Sequence, residues 1–231
     1  WSAVLGRRPM RFLCVSDIHG NLSALQAVLA ACEKVNFQKI LCAGEHLYPG
    51  AEAMETWRRL QAAQAVLVQG LGDKALAVLD PDNLAVQSEA EKEKLARFRG
   101  LRAELGGVLL ERLRRLPAEH RITLEDGTEL LLIHGSPMDP SEPFCIDMDD
   151  EEINALLGDE AADVIVCGGS HVPFDRTVAG VRIINVGSVG DAPDERAPGE
   201  PPKFAHATWI DSTPQGLHVE QFVVPLVATD E

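Results

Sequence analysis

The stretch RFLCVSDIHGNLSALQAVLAAC, residues 11–32, places three kinds of chain side by side. RFLCV has the apolar, β-favouring character of a buried strand, whereas Leu22, Leu25, Leu29 and Cys32 recur at helical spacing and predict an amphipathic helix opening near Asn21. Between them an apolar run ends in Asp17 and His19. These residues are two apart, so an extended backbone would point both side chains to the same side. A strand, a polar loop and a helix make the first half of a βαβ unit, and parallel sheets collect function in the loops at the C-terminal ends of their strands.

The pattern continues outward. KILCA (39–43) reads as a second buried strand, GEHLYPG (44–50) as its loop and AEAMETWRRLQAAQ (51–64) as a helix, before a short strand, AVLVQ (65–69), that ends in GLGDKA. From Ser88 to Leu116 the chain is charged and helical with a break at Gly106 and Gly107, and its alternating signs predict a solvated helix pair rather than a binding surface. Beyond Pro117 the character changes to hairpins: one around Asp126 and Gly127, one around Ala179 and Gly180, and a last pair over 203–211 and 217–226. The acids of MDDEE (148–152) open the run DDEEINALL and fit a helix N-terminus better than a metal site. Parallel strands first and antiparallel strands later predict an α/β fold of two sheets packed on each other with helices outside. The expected organisation is one domain over 10–231, with a loose tail at 1–9 and a helical insertion at 88–116.

Composition narrows the function. In 231 residues, 45% hydrophobic and 25% charged content is that of a globular chain. With 21 Lys and Arg against 36 Asp and Glu, the net charge is −15, which repels phosphate backbones and anionic membranes and attracts multivalent cations. Neither nucleic acid nor a membrane is the expected partner. The five cysteines show no CxxC spacing, and three of them lie in apolar runs, as reduced core residues do; the expected location is the cytoplasm.

Five positions each follow an apolar run and offer an oxygen or imidazole: Asp17 and His19, Glu45, His134 and His171. If the strand ends converge, two carboxylates and three imidazoles meet, which in composition is a site for a divalent metal.

These stretches resemble the calcineurin-like metallophosphoesterases, in particular their small bacterial and archaeal branch, from about Arg11 to Leu226. DIHGN (17–21), GE (44–45), GLGD (70–73), HGSP (134–137), GGSH (168–171) and NVGS (185–188) follow the order of the family's DxHGN, GD, GNHD, HG, GHTH and NPGS segments. The resemblance implies an αββα sandwich of two mixed sheets packed face to face. It assigns Asp17, His19 and His171 to a first metal, Glu45 to the bridging position in place of the usual aspartate, and His134 to a second metal. It also implies hydrolysis of a phosphate ester, as a phosphatase or phosphodiesterase, by water activated at the metal.

Three departures bear on that expectation. The second-site Asn and His positions are Leu71 and Gly169, and the histidine that the resemblance assigns as proton donor to the leaving group is Gly72, so Asp73 is left without its partner. Losing a general acid costs about 10²–10⁴ in rate. His46, Ser170 and Asp73 are the residues placed to substitute, with His46 and Asp73 the candidate catalytic groups; the simpler reading of His46 is an exposed loop histidine beside Tyr48. The expectation is therefore a phosphoesterase with one firmly bound transition ion (Mn, Fe, Ni or Zn), a second ion weak or absent, and a small phosphate ester as substrate. The competing expectation is a metal-containing binding or regulatory module that has given up catalysis.

Overall fold

The computed structural model describes residues 10–197, 200–213 and 216–226; the expected tail at 1–9 lies outside them. Strands β1 (Met10–Val15), β2 (Lys39–Cys42) and β3 (Val66–Leu67) are parallel, linked by helices α1 (Leu22–Ala31) and α2 (Ala53–Ala62). Helix α3 (Leu71–Val78) follows β3, and the long α4 (Glu89–Arg114) comes next. A second sheet is built from the hairpin β4 (Glu119–Thr123) and β5 (Glu129–Ile133), then helix α5 (Asp150–Leu157), β6 (Val164–Cys167), β7 (Phe174–Val178) and β8 (Val181–Asn185). The closing hairpin, β9 (Phe204–Thr213) and β10 (Gly216–Pro225), returns to the first sheet, where β9 runs antiparallel to β1. The two orders are β10-β9-β1-β2-β3 and β4-β5-β6-β8-β7, both mixed.

Strand parity explains why these runs are apolar throughout. Leu13 and Val15 face one way, into a core shared with Leu25 and Val28 of α1, Trp57 of α2 and the buried stripe of α4. Phe12 and Cys14 face the other way, against Leu130, Leu132, Val164, Val166 and Ile184 of the second sheet. The outer face of that sheet, Leu131, Ile165 and Ile183, is covered by Ile153 and Leu157 of α5. A strand buried on both faces has no polar side, hence no alternation. Helices thus lie outside two sheets, as expected.

Two local expectations are corrected. Residues 88–116 do not form a solvated pair: Phe98, Leu101, Leu105, Leu109 and Leu113 are buried at helical spacing, and the charges occupy the opposite face. The Gly106 break is real, at φ 68° and ψ 164°, but the stripe continues across it. The second concerns GLGD, expected only as the end of a strand, which is where α3 begins. Gly72 is a poor helix former, but Asp73 accepts from the Gly70 N–H at 3.2 Å and starts the helix. Asp149 caps α5 by accepting from the Glu152 N–H at 2.9 Å, the role expected of MDDEE.

Docking of α4 sets a measurable cost. Leu109→Ala, beyond the break, is expected to destabilise the protein by about 2–4 kcal/mol in denaturant titrations, whereas Val108→Ala on the exposed face shifts stability by less than about 0.5 kcal/mol. Equal, small effects would mean that the second half of the helix is not packed.

Candidate metal centre

The loops after β1, β2, β5 and β6 converge at the C-terminal ends of their strands, and they do so under strain. Asp17, His19, Glu45 and His171 have φ of 53°, 54°, 51° and 61°, in the left-handed region that non-glycine residues occupy only at a cost of about 1–3 kcal/mol each. The extended geometry expected for Asp17 and His19 is therefore corrected. Backbone hydrogen bonds hold the strained turns: Asp17 N–H donates to Gly44 O at 3.1 Å, His19 N–H to Glu45 O at 2.9 Å and Gly20 N–H to His46 O at 2.9 Å. On the other side Gly190 N–H and the Ser188 hydroxyl donate to Asp17 O at 2.9 and 2.8 Å.

Asp17, His19 and His171 end with one ligand atom each inside a sphere where no two are more than 4.8 Å apart. Each imidazole is oriented from behind. His19 Nδ1 lies 2.6 Å from Tyr48 O, and His171 Nδ1 lies 3.1 Å from Asp191 O. A carbonyl only accepts, so both Nδ1 atoms carry the hydrogen and both Nε2 atoms can present lone pairs. Those Nε2 atoms are 3.2 Å apart, and Asp17 Oδ1 lies 3.8 Å from one and 3.4 Å from the other. Asp17 is fully buried and its Oδ1 accepts no hydrogen bond, while its Oδ2 takes the Gly169 N–H at 2.9 Å. Two ring nitrogens and a desolvated anionic oxygen facing one point form a candidate site for a metal cation.

The titration of these groups carries the same message. Burial pushes the Asp17 carboxyl up, but the His171 ring, the charge of His134 and the Gly169 N–H outweigh it and hold the acid below its usual range. Burial pulls His171 down, and Asp17 and Asp191 reverse the effect, so that without an ion the ring keeps a proton more readily than usual. A transition metal would displace that proton. The donor set, two imidazoles and one carboxylate, suits Mn, Fe, Ni or Zn.

Glu45 and His134 lie beside this group and not within it. Glu45 Oε2 is 4.0 Å from His19 Nδ1, the nitrogen turned away from the cluster, and Glu45 Oε1 is 3.8 Å from His134 Nε2. His134 is oriented like the others, with Nδ1 2.7 Å from Ala43 O. The Glu45 carboxyl is pushed up to about 8 by burial and by the nearby charges of Asp73 and Asp17, against the Gly72 N–H that it accepts.

The departures from the resemblance acquire a steric cause. A Cβ on Gly72 would stand 2.5 Å from Glu45 Oε2, so a side chain there would displace the Glu45 carboxylate. A side chain at position 72 and the longer Glu45 would compete for the same space. Gly169 has φ 80° and a Cβ there would meet Pro143 at 2.9 Å, while Leu71 stands at the start of α3, 44% exposed.

The candidate substitutes are occupied elsewhere. His46 is fully buried rather than an exposed loop residue, with Nε2 2.9 Å from Val68 O and Nδ1 3.2 Å from Cys42 Sγ. Asp73 is also fully buried and does have groups to hold: it accepts from the His46 and Gly70 N–H groups, each at 3.2 Å, and so braces the Glu45 loop. Ser170 Oγ accepts from Asn185 Nδ2 at 2.9 Å. Asn185 also donates to Gly168 O at 2.8 Å and receives the Gly187 N–H at 3.0 Å, which makes it the clamp on the His171 loop. That role, and the orienting role of Asp191, were not legible in sequence. Asn185 stands within NVGS and Asp191 three residues beyond it, and no local pattern marks either as a clamp.

The competition between position 72 and Glu45 is testable. Gly72→His alone is expected to cost about 1–3 kcal/mol by overpacking against Glu45, and to lower metal content; combining it with Glu45→Asp should recover most of both losses in melting and metal analysis. A fully tolerated single variant would show that Glu45 moves freely.

Comparison with known proteins agrees with this geometry. The profile of the calcineurin-like phosphoesterase superfamily domain matches residues 10–208. Among solved structures, the hypothetical protein PH1004 from Pyrococcus horikoshii OT3 is similar at TM-score 0.75 and 20% identity, over 95% of this chain and 89% of that one. A metallophosphoesterase from Sphaerobacter thermophilus is similar at TM-score 0.69 and 22% identity, over 96% and 90%. No curated protein matches. With the match spanning the strands and loops that carry Asp17, His19, Glu45, His134 and His171, the chain belongs to the calcineurin-like phosphoesterase superfamily.

Proposed function

We propose that the protein hydrolyses a small phosphate ester with one firmly held transition ion, bound by Asp17, His19 and His171, and a second, labile ion near Glu45 and His134. The observation that carries the reading is the pair of Nε2 atoms 3.2 Å apart beside the partnerless Asp17 Oδ1, on a scaffold of this superfamily. An ion so held supplies Lewis acidity toward phosphoryl oxygens and lowers the pKa of water. The chain supplies the rest. Tyr48, Asp191 and Ala43 carbonyls fix the three imidazoles, Asp17 brings a charge that burial keeps unscreened, and the Gly72 N–H aims the Glu45 carboxyl.

No described side chain takes the place of the proton donor absent at Gly72, since His46 and Asp73 are committed to the fold. The reading therefore favours esters whose leaving group departs with little protonation. The same observation favours the competing reading, a metal-containing module without turnover, and the two separate in one experiment. Purified protein is expected to retain close to one equivalent of metal and to cleave an aryl phosphate when Mn²⁺ is added. His171→Ala should lose both the metal and the activity. Folded, metal-loaded protein that turns over neither mono- nor diesters with any of several metals would sink the hydrolase and leave the module.

Activation by added Mn²⁺ should also depend on pH. Below about 8 the Glu45 carboxyl holds a proton with which an ion must compete; above it the anion is free to bind. The Mn²⁺ needed for half-activation is expected to fall as pH rises from about 6 to about 9, and a flat profile would remove Glu45 from the second site.

A further inference from the structure

Beside the metal centre opens a cleft of about 710 Å³. His19 and Asp191, the turn 49–52 and, from α4, Arg97, Leu101 and Glu104 line it. Those three residues are spaced i, i+4 and i+7, so one stripe of the helix faces the cleft. The volume is that of a site for a nucleotide-sized ligand and far exceeds what a lone phosphate needs.

Charge in this cleft is unevenly spoken for. Most arginines of the described residues are tied down: Arg99 to Asp82, Arg102 to Leu76 O, Arg182 to Asp175 and Arg196 to Asp191. Arg97, the one cationic side chain among the described residues lining the cleft, makes no hydrogen bond or ion pair with any of them. Arg97 is exposed to solvent, so its guanidinium is free to receive an anionic group in this cleft of a chain whose net charge is −15. The cleft's acids divide in role. Asp191 is paired with Arg196, while the carboxylates of Glu52 and Glu104 accept from no described donor and are suited to hydroxyl groups. Leu101, mostly buried in the core, adds an apolar contact to the lining.

We propose that α4 is the specificity wall of the site, and that Arg97 binds a second anionic group on the substrate. The substrate class is a sugar- or nucleoside-based phosphate ester that carries one phosphate at the metal centre and another anionic group across the cleft, with hydroxyls between them. This rests on the phosphoesterase reading for the first phosphate only. Arg97 is a binding and not a catalytic residue, so its contribution belongs in KM.

The test compares adenosine 3′,5′-bisphosphate with adenosine 3′-monophosphate on the Mn²⁺-loaded full chain. The bisphosphate is expected to show a KM about tenfold lower, the worth of one charge-assisted hydrogen-bonded contact. Arg97→Gln should raise the bisphosphate KM by about tenfold and the monophosphate KM by much less, with kcat little moved, and Arg97→Lys should recover part of the loss. Equal effects of Arg97→Gln on both substrates, or a fall confined to kcat, would overturn the assignment. If the wild type turns over neither nucleotide, calorimetric binding of the same pair decides: an Arg97-dependent preference for the bisphosphate keeps the specificity wall and sinks only the hydrolase, and no preference sinks the wall.

Discussion

The site depends on a set of backbone hydrogen bonds that clamp three loops together. Asp17, His19 and Glu45 stand in left-handed turns, uncommon for non-glycine residues, and each has its N–H or C=O paired with a neighbouring loop. Ser188 and Gly190 close the clamp by donating to Asp17 O. The strain is repaid by placement: the side chains leave the strand ends at angles that bring two imidazole nitrogens and a carboxylate oxygen to one point. A buried, unpaired carboxylate oxygen is tolerable only where a cation compensates it, which links the backbone geometry to the metal chemistry.

Around that centre neighbouring residues share space and hydrogen bonds. Glu45 reaches the space a side chain at position 72 would need, and receives the Gly72 N–H in return. His46 and Asp73, which by residue type invite catalytic roles, instead pack beneath the Glu45 loop, one against Val68 O and Cys42, the other against two N–H groups. Both residues thereby hold the loop that presents Glu45. Helix α4 completes the arrangement, because its buried stripe docks it on the first sheet and leaves Arg97 and Glu104 on the wall of the cleft.

Much of the fold was legible because its signals are local. Strand and helix periods, the turn residues Asp126–Gly127 and Ala179–Gly180, and the acids opening α5 each report on a few consecutive residues, and each matches the structure. The errors came where burial or packing overrides a local signal. Charge alternation over 88–116 concealed a stripe of five apolar residues, Gly72 concealed the start of α3, and a loop position concealed the burial of His46.

The sequence by itself determined which side chains stand at strand ends: Asp17, His19, Glu45, His134 and His171 follow their apolar runs whatever the packing. Only the tertiary structure decided which of them meet. Asp17, His19 and His171 form one group and Glu45 with His134 another, and that division follows from left-handed turns and from carbonyls contributed by distant loops. Strand order and residue type are encoded locally. The directions in which ring nitrogens point are set by hydrogen-bond partners dozens of residues away, such as Tyr48 for His19 and Ala43 for His134, and these exist only once the loops have been brought together.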